Sequence, residues 1–229
     1  MMIAMKKRLL IIVLILGVLS TLLIAGYRIL FPNEDLTMEE HDTSHLQADT
    51  IAADSGTKVL SLESMMGTFE SVMDSSEVFF VNGGSSGTSG RFNDFFVELI
   101  RDSVTAKTEI SVTIQSKSIF TDNDIRDRHL QNEEFFNTAG FPQITFNSAE
   151  VLQTDSNYSA VGEMFFLGTD RKISIPFKYL GNSSYPSGTE YHVLVGGFTF
   201  NPADFGMDVG ITVDEASDVS FYLEMIRSE

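Results

Sequence analysis

From residue 58 onward the chain is a succession of short runs in which large apolar residues recur at alternate positions, each run bounded by Gly, Asn, Asp or Ser, and this pattern restricts it to a sheet. Eight runs carry it: Ser76–Asn82, Arg91–Glu98, Thr108–Ser116, Gln143–Leu152, Tyr158–Leu167, Arg171–Leu180, Glu190–Asn201 and Asp218–Arg227. The connections have turn chemistry: Asn82-Gly83-Gly84 through Gly90, Asp155-Ser156-Asn157, Gly168-Thr169-Asp170, and Gly181 to Gly188 with Pro186. Such spacings predict an antiparallel meander, and a sheet of eight strands that closes on itself leaves no sticky edge. One segment departs from the rhythm. Asn123 to Thr138 places Ile125, His129 or Leu130, Glu133 and Phe136 on a helical period, with Thr121 or Asp122 to cap its start and Gly140 with Pro142 to end it. A single helix between the third and fourth strands argues against repeated parallel β-α-β units. The expected fold is mainly β, an eight-stranded antiparallel barrel with one inserted helix, preceded by a transmembrane helix.

That last element rests on Leu9 to Tyr27, 19 consecutive residues without a charge. As a helix, at ~1.5 Å per residue, they reach about the ~30 Å of a bilayer core. Lys6, Lys7 and Arg8 precede the run and only Arg28 follows it, so the basic flank holds the N-terminus in the cytoplasm and exports the rest. The apolar run continues past Val18-Leu19-Ser20, which favours a retained anchor over a cleaved signal peptide. Residues 1–8 are read as a cytoplasmic basic segment, 9–27 as a transmembrane signal anchor and 28–57 as an acidic disordered linker. Residues 58–229 form the barrel domain, on the periplasmic or outer side of a cell membrane crossed once. Within the linker, residues 32–57 hold seven acids and no Lys or Arg. His41 and His45 lie there four apart beside acids, but two solvated histidines in a stalk make no metal site.

Beyond residue 28, 11 basic residues face 32 acids, a net of −21. A surface so negative repels phosphate backbones and anionic headgroups, which excludes nucleic acid as a partner. The chain has no Cys, so disulfides, thiolate metal sites and a cysteine nucleophile are excluded too. Asp122 and Asp124 lack the Gly and distal Glu of a calcium loop, and Gly83 to Gly90 lacks the Lys-Ser or Lys-Thr of a phosphate loop. In Arg126-Asp127-x-His129 the carboxylate and imidazole lie two apart and face different ways on a helix, so Arg126 and Asp127 are expected to bind backbone beside the barrel. A hydrolase or isomerase using His129 or His192 would still need a nucleophile and base pair. With 19 Phe, 10 Met and no Trp, aromatic surface remains after one face of each strand has been spent on a core. It serves either a filled interior or one lined for a flexible hydrocarbon.

The order Ser118, Ile119, Thr121, then Arg126, Asp127, His129, Leu130, then Phe135, Phe136, Pro142, and Ile144, Thr145, Phe146, Ser148 resembles the YceI-like family. Ser76-x-Val78-x-Phe80, Gly90-Arg91-Phe92, the stretch Gly162 through Phe177, Asp204-Phe205-Gly206-Met207 and the run Asp218 to Ile226 extend the likeness over residues 70–228. The resemblance implies a lipocalin-like barrel holding a long isoprenoid-type or amide-lipid chain in an apolar tunnel, in an exported, typically periplasmic setting. Each methylene moved out of water is worth about 0.8 kcal/mol, so a long chain binds with few polar contacts. The wall is then expected at Val78, Phe80, Phe95, Val112, Ile114, Phe136, Phe146, Met164, Phe166, Ile175, Phe177 and Val195. Ser118, Thr121, Arg126, Asp127, His129, Leu130, Asp204 and Gly206 form the structural motif. The function implied is binding, transport or sequestration of a lipid without catalysis, and with no metal or cofactor other than the lipid. The alternative is a side-chain-filled barrel that docks a partner. The partners left open are an apolar lipid, the membrane through the N-terminal helix, and a second copy in a homodimer.

Overall fold

The computed structural model describes residues 60–82, 88–154, 157–207 and 216–228. In these segments the order is β1 (Gly67–Ser71), β2 (Glu77–Asn82), β3 (Thr88–Phe92), β4 (Phe95–Arg101), β5 (Thr108–Gln115), β6 (Ile119–Phe120), α1 (Asp124–Leu130), β7 (Gln143–Gln153), β8 (Tyr158–Phe166), β9 (Thr169–Ser184), β10 (Glu190–Phe200) and β11 (Ser217–Arg227). All pairings are antiparallel, and β1 pairs with both β4 and β11, which closes the barrel.

Three of the staves are broken strands. Along β11, Met225 to Arg227 face β1 while Ser217 to Tyr222 face β2, so β1 and β2 are halves of one stave interrupted by a 3-10 turn at Met73–Ser75. In the same way β4 pairs with β1 and β3 with β2, and β5 pairs with β4 and β6 with β3. Counted by stave the barrel has eight, each bonded to its sequence neighbour, which is the meander that the turn spacing predicts. Where a ladder is interrupted, a backbone N–H needs another acceptor, and serine hydroxyls supply it. Val97 N donates to Ser71 Oγ (3.0 Å), Glu224 N to Ser76 Oγ (3.0 Å), Asp94 N to Ser118 Oγ (3.0 Å) and Ile110 N to Ser148 Oγ (2.7 Å).

Two bulges bend the long strands, at Ala149 on β7 and at Leu180 on β9, the latter opposite Val193 and Leu194 of β10. Opposite the first, Gly162 sits so close to β7 that a Cβ would lie 2.1 Å from the Asn147 carbonyl oxygen. On the outer face, Tyr185 and Tyr222 donate hydroxyl hydrogen bonds to the buried Glu224 carboxylate, tying the β9–β10 hairpin to β11. Burial pushes the Tyr222 hydroxyl up to about 12.

The structure departs from sequence expectation in three places. The first stave begins at Gly67, not Ser76, because β1 is a separate piece beyond the 3-10 turn. The helix ends at Leu130 rather than near Thr138: Phe136 N donates back to the Leu130 carbonyl (2.9 Å) and Asn137 adopts φ 41°, so irregular turns replace further helix. Its cap is Asn123, whose Oδ1 accepts from Ile125 N (3.1 Å) and Arg126 N (3.0 Å), not Thr121 or Asp122. The expected anchor at 9–27 and linker at 28–57 lie outside the described residues, among which no helix is long and apolar enough to cross a membrane.

Candidate functional site

Period-two alternation turns one face of every stave inward. Val97 and Leu99 of β4, Ile110, Val112 and Ile114 of β5, Ile144 and Phe146 of β7, and Ala160, Met164 and Phe166 of β8 form one half of a wall. Ile175 and Phe177 of β9, Leu194, Phe198 and Phe200 of β10, and Val219, Phe221 and Leu223 of β11 form the other, with Val78, Phe80 and Phe92 between. Leu130, Phe135 and Phe136 from the inserted segment, together with Pro202 and Met207, complete it. The cavity has a volume of about 240 Å³, and of the thirty residues lining it four are polar and none is charged. An apolar cavity of ~150 Å³ stays dry and admits benzene, and drug-sized ligands occupy ~300–1,000 Å³, so this space suits a segment of hydrocarbon.

One end of the barrel is filled. A 3-10 turn at Leu62–Met65 lays Leu62 and Met65 over the interior, both fully buried, against a core that includes Phe69, Tyr158, Tyr179 and Met225. Polar groups hold this plug in place. Leu62 N donates to Tyr158 OH (3.1 Å), which donates to the Leu60 carbonyl (3.2 Å). Tyr179 OH lies 2.8 Å from both Ser64 Oγ and His192 Nδ1, and His192 Nε2 lies 3.2 Å from Glu190 Oε1. Burial pulls the His192 pKa below its ordinary value against the pull of Glu190, with Arg227 adding to the depression. The imidazole is therefore neutral, accepting at Nδ1 from Tyr179 and donating at Nε2 to Glu190. Burial also raises the Tyr179 hydroxyl.

Toward the other end the cavity is bounded by phenylalanine rings. Phe80 meets Phe92 (5.6 Å between centroids), Phe92 meets Phe136 (5.8 Å), Phe136 meets Phe166 (5.5 Å), and Phe166 meets Phe200 and Phe205 (6.2 and 5.7 Å). Beyond Phe80 the inward positions become polar: Thr88, Asn82 and Ser217 lie side by side on β3, β2 and β11.

Ten of the twelve expected wall residues meet at this cavity: Val78, Phe80, Val112, Ile114, Phe136, Phe146, Met164, Phe166, Ile175 and Phe177. Phe95 and Val195 do not. Phe95 is inward and buried at the start of β4 but packs into the core outside the cavity. Val195 faces outward, opposite Tyr222 and Lys178, while Leu194 and Phe198 take the inner face. The glycines Gly196 and Gly197 hide the parity of β10, because alternation is unreadable where two successive residues carry no side chain. Leu99, Ile110, Ile144 and the inner face of β11 escaped the sequence reading, although each shares parity with an expected residue or run.

The model of the YceI-like domain matches residues 69–225. The chain belongs to the YceI-like family. It is 34% identical over 106 residues to UPF0312 proteins of Yersinia pestis and Yersinia enterocolitica, a match that spans 46% of this chain and 55% of each relative, so about half the length of these relatives is represented. The fold is shared with the crystal structure of Burkholderia cenocepacia BcnA (TM-score 0.61, 18% identity, 67% of this chain and 98% of that one). It is also shared with a polyisoprenoid binding domain from Saccharophagus degradans implicated in plant cell wall breakdown (TM-score 0.53, 15% identity, 70% and 98%).

In this YceI-like barrel the inserted segment is an anchor built on Thr121. Its backbone N donates to Asp127 Oδ1 (2.9 Å), its hydroxyl donates to the same oxygen, and Arg126 clamps the Thr121 carbonyl through Nη2 (2.6 Å) and Oγ1 through Nε (2.8 Å). Asp127 is buried, whereas His129 is exposed on the outside with its ring against Phe135 (5.0 Å). Ser118 bonds across the breaks in two staves, and Leu130 reaches the cavity. The Asp204 carbonyl accepts from Arg171 Nε (3.0 Å), and Gly206 closes its 3-10 turn at φ 90°. Among the described residues no cluster of His, Asp and Glu is arranged to hold a metal ion.

Proposed function

We propose that this chain binds and carries or sequesters a long, apolar, isoprenoid-type lipid without catalysing a reaction, and that it does so outside the cytoplasm, tethered by residues 9–27. The observation that carries the reading is the cavity itself: thirty lining residues without a charge around about 240 Å³, closed at one end by a plug of the chain's own residues. Burial of hydrocarbon supplies binding free energy in proportion to chain length and asks for no directed contact from the wall. The polyisoprenoid binding domain of Saccharophagus degradans, which shares the fold, supports the class of guest. The uncharged run from Leu9 to Tyr27 and the acidic stretch after it support the tether and the location.

The test is to purify the full chain from membranes, extract it with organic solvent and analyse the extract by mass spectrometry. One long-chain lipid per protein chain is expected, along with protease sensitivity of the barrel from the extracytoplasmic side in intact cells. An empty barrel that refuses lipid would overturn the reading.

A further inference from the structure

We propose that the guest's polar end is uncharged, an alcohol or a carbonyl rather than a phosphate, and that it sits against the row Thr88–Asn82–Ser217. The inference rests on the lipid-binding reading and adds to it the class of headgroup.

The row is set by register. Asn82 is paired with Thr88 on β3 and with Ser217 on β11, and Asn82 Nδ2 donates to Ser217 Oγ (3.4 Å). One step deeper, Phe80 stands between Gly90 and Val219, and one step deeper again Val78 faces Phe221. The inner surface thus changes from amide and hydroxyl to hydrocarbon within a single pair of residues along each strand. The opposite end of the interior is filled by Leu62, Met65 and their neighbours. A guest enters tail first, and its head comes to rest at the row.

Charge decides what kind of head fits there. The cavity wall holds no Lys, Arg, Asp or Glu. The protein as a whole carries a net charge of −17. A phosphate brought to the row gives up hydration with no cation in the wall to receive it, and does so on a protein of net negative charge. A cationic head finds no carboxylate in the wall. An alcohol or carbonyl exchanges water for the asparagine amide and the two hydroxyls at little net cost.

The experiment titrates the full chain, in nonionic detergent, with a C20 prenyl alcohol, with its monophosphate and with a C20 hydrocarbon, reading dissociation constants at low and high salt. The alcohol is expected to bind about tenfold or more tightly than the monophosphate. Asn82→Leu is expected to weaken the alcohol severalfold while leaving the hydrocarbon unchanged, which shows that the barrel is intact. Asn82→Lys is expected to raise affinity for the monophosphate and to make it fall with salt. Monophosphate binding equal to or tighter than alcohol binding, in a chain that takes up the hydrocarbon, overturns the headgroup assignment alone. Failure of all three compounds to bind overturns the lipid-binding reading with it.

Discussion

Phe221 on β11 lies across Gly196 of β10, so closely that a Cβ at 196 would come within 2.5 Å of the ring's Cζ. The same Cβ would meet the Pro176 carbonyl oxygen of β9 at 2.4 Å, and backbone cannot rotate away as a side chain can. Gly196→Ala is therefore an overpacking change on the inner wall. It is expected to cost about 1–3 kcal/mol in urea unfolding and to weaken lipid binding, because relief requires Phe221 to swing into the cavity.

The plug depends on a tyrosine that both accepts and donates. Tyr158→Phe keeps the ring that stacks on Phe177 (5.4 Å) but removes the hydroxyl that receives Leu62 N and donates to the Leu60 carbonyl. About 1–3 kcal/mol of stability is expected to be lost, since Leu62 N is left buried without its partner. Amide hydrogen exchange at residues 60–65 is expected to accelerate more than in β7 or β8.

Acid is expected to loosen the same end. Burial holds the folded-state pKa of His192 below the ordinary 6.5, so the unfolded chain binds this proton more readily than the folded one. The stability this neutral imidazole contributes is complete above pH ~6.5 and is lost as pH falls through the lowered pKa. Thermal unfolding between pH 7 and pH 5 is expected to show a steeper fall in Tm for the unsubstituted chain than for His192→Gln. Parallel profiles would remove His192 from the account.

Asp127 and His129 separate a structural role from a catalytic one. Asp127→Ala removes the acceptor of both Thr121 N and Thr121 Oγ1 in a buried site, and a loss of about 2–4 kcal/mol in urea unfolding is expected. His129→Ala touches an exposed ring, and a change within about 0.5 kcal/mol is expected, with lipid binding unaltered.

What could be read from sequence was what depends on nearest neighbours. In β5 and β9 unbroken alternation places Val112 and Ile175 on the inner face without knowledge of any pairing. β10 was misread because Gly196 and Gly197 follow Val195, and β1 went unseen because Phe69 is its one large apolar residue. The plug escaped for another reason: Leu62 and Met65 lie in a short 3-10 turn whose position depends on Tyr158 and Tyr179, about a hundred residues away. The row Thr88–Asn82–Ser217 exists only through the register of three strands, which local pattern does not reveal.

The hollow is most directly tested by calorimetric titration of the full chain with a C20 prenyl alcohol, at several temperatures, beside Val112→Trp, which fills the middle of the wall. One saturable site with a negative heat-capacity change is expected for the unsubstituted chain, and loss of that site in a variant with an unchanged far-UV spectrum. Equal binding by the two chains would contradict the account, because the guest would then be held somewhere other than the cavity.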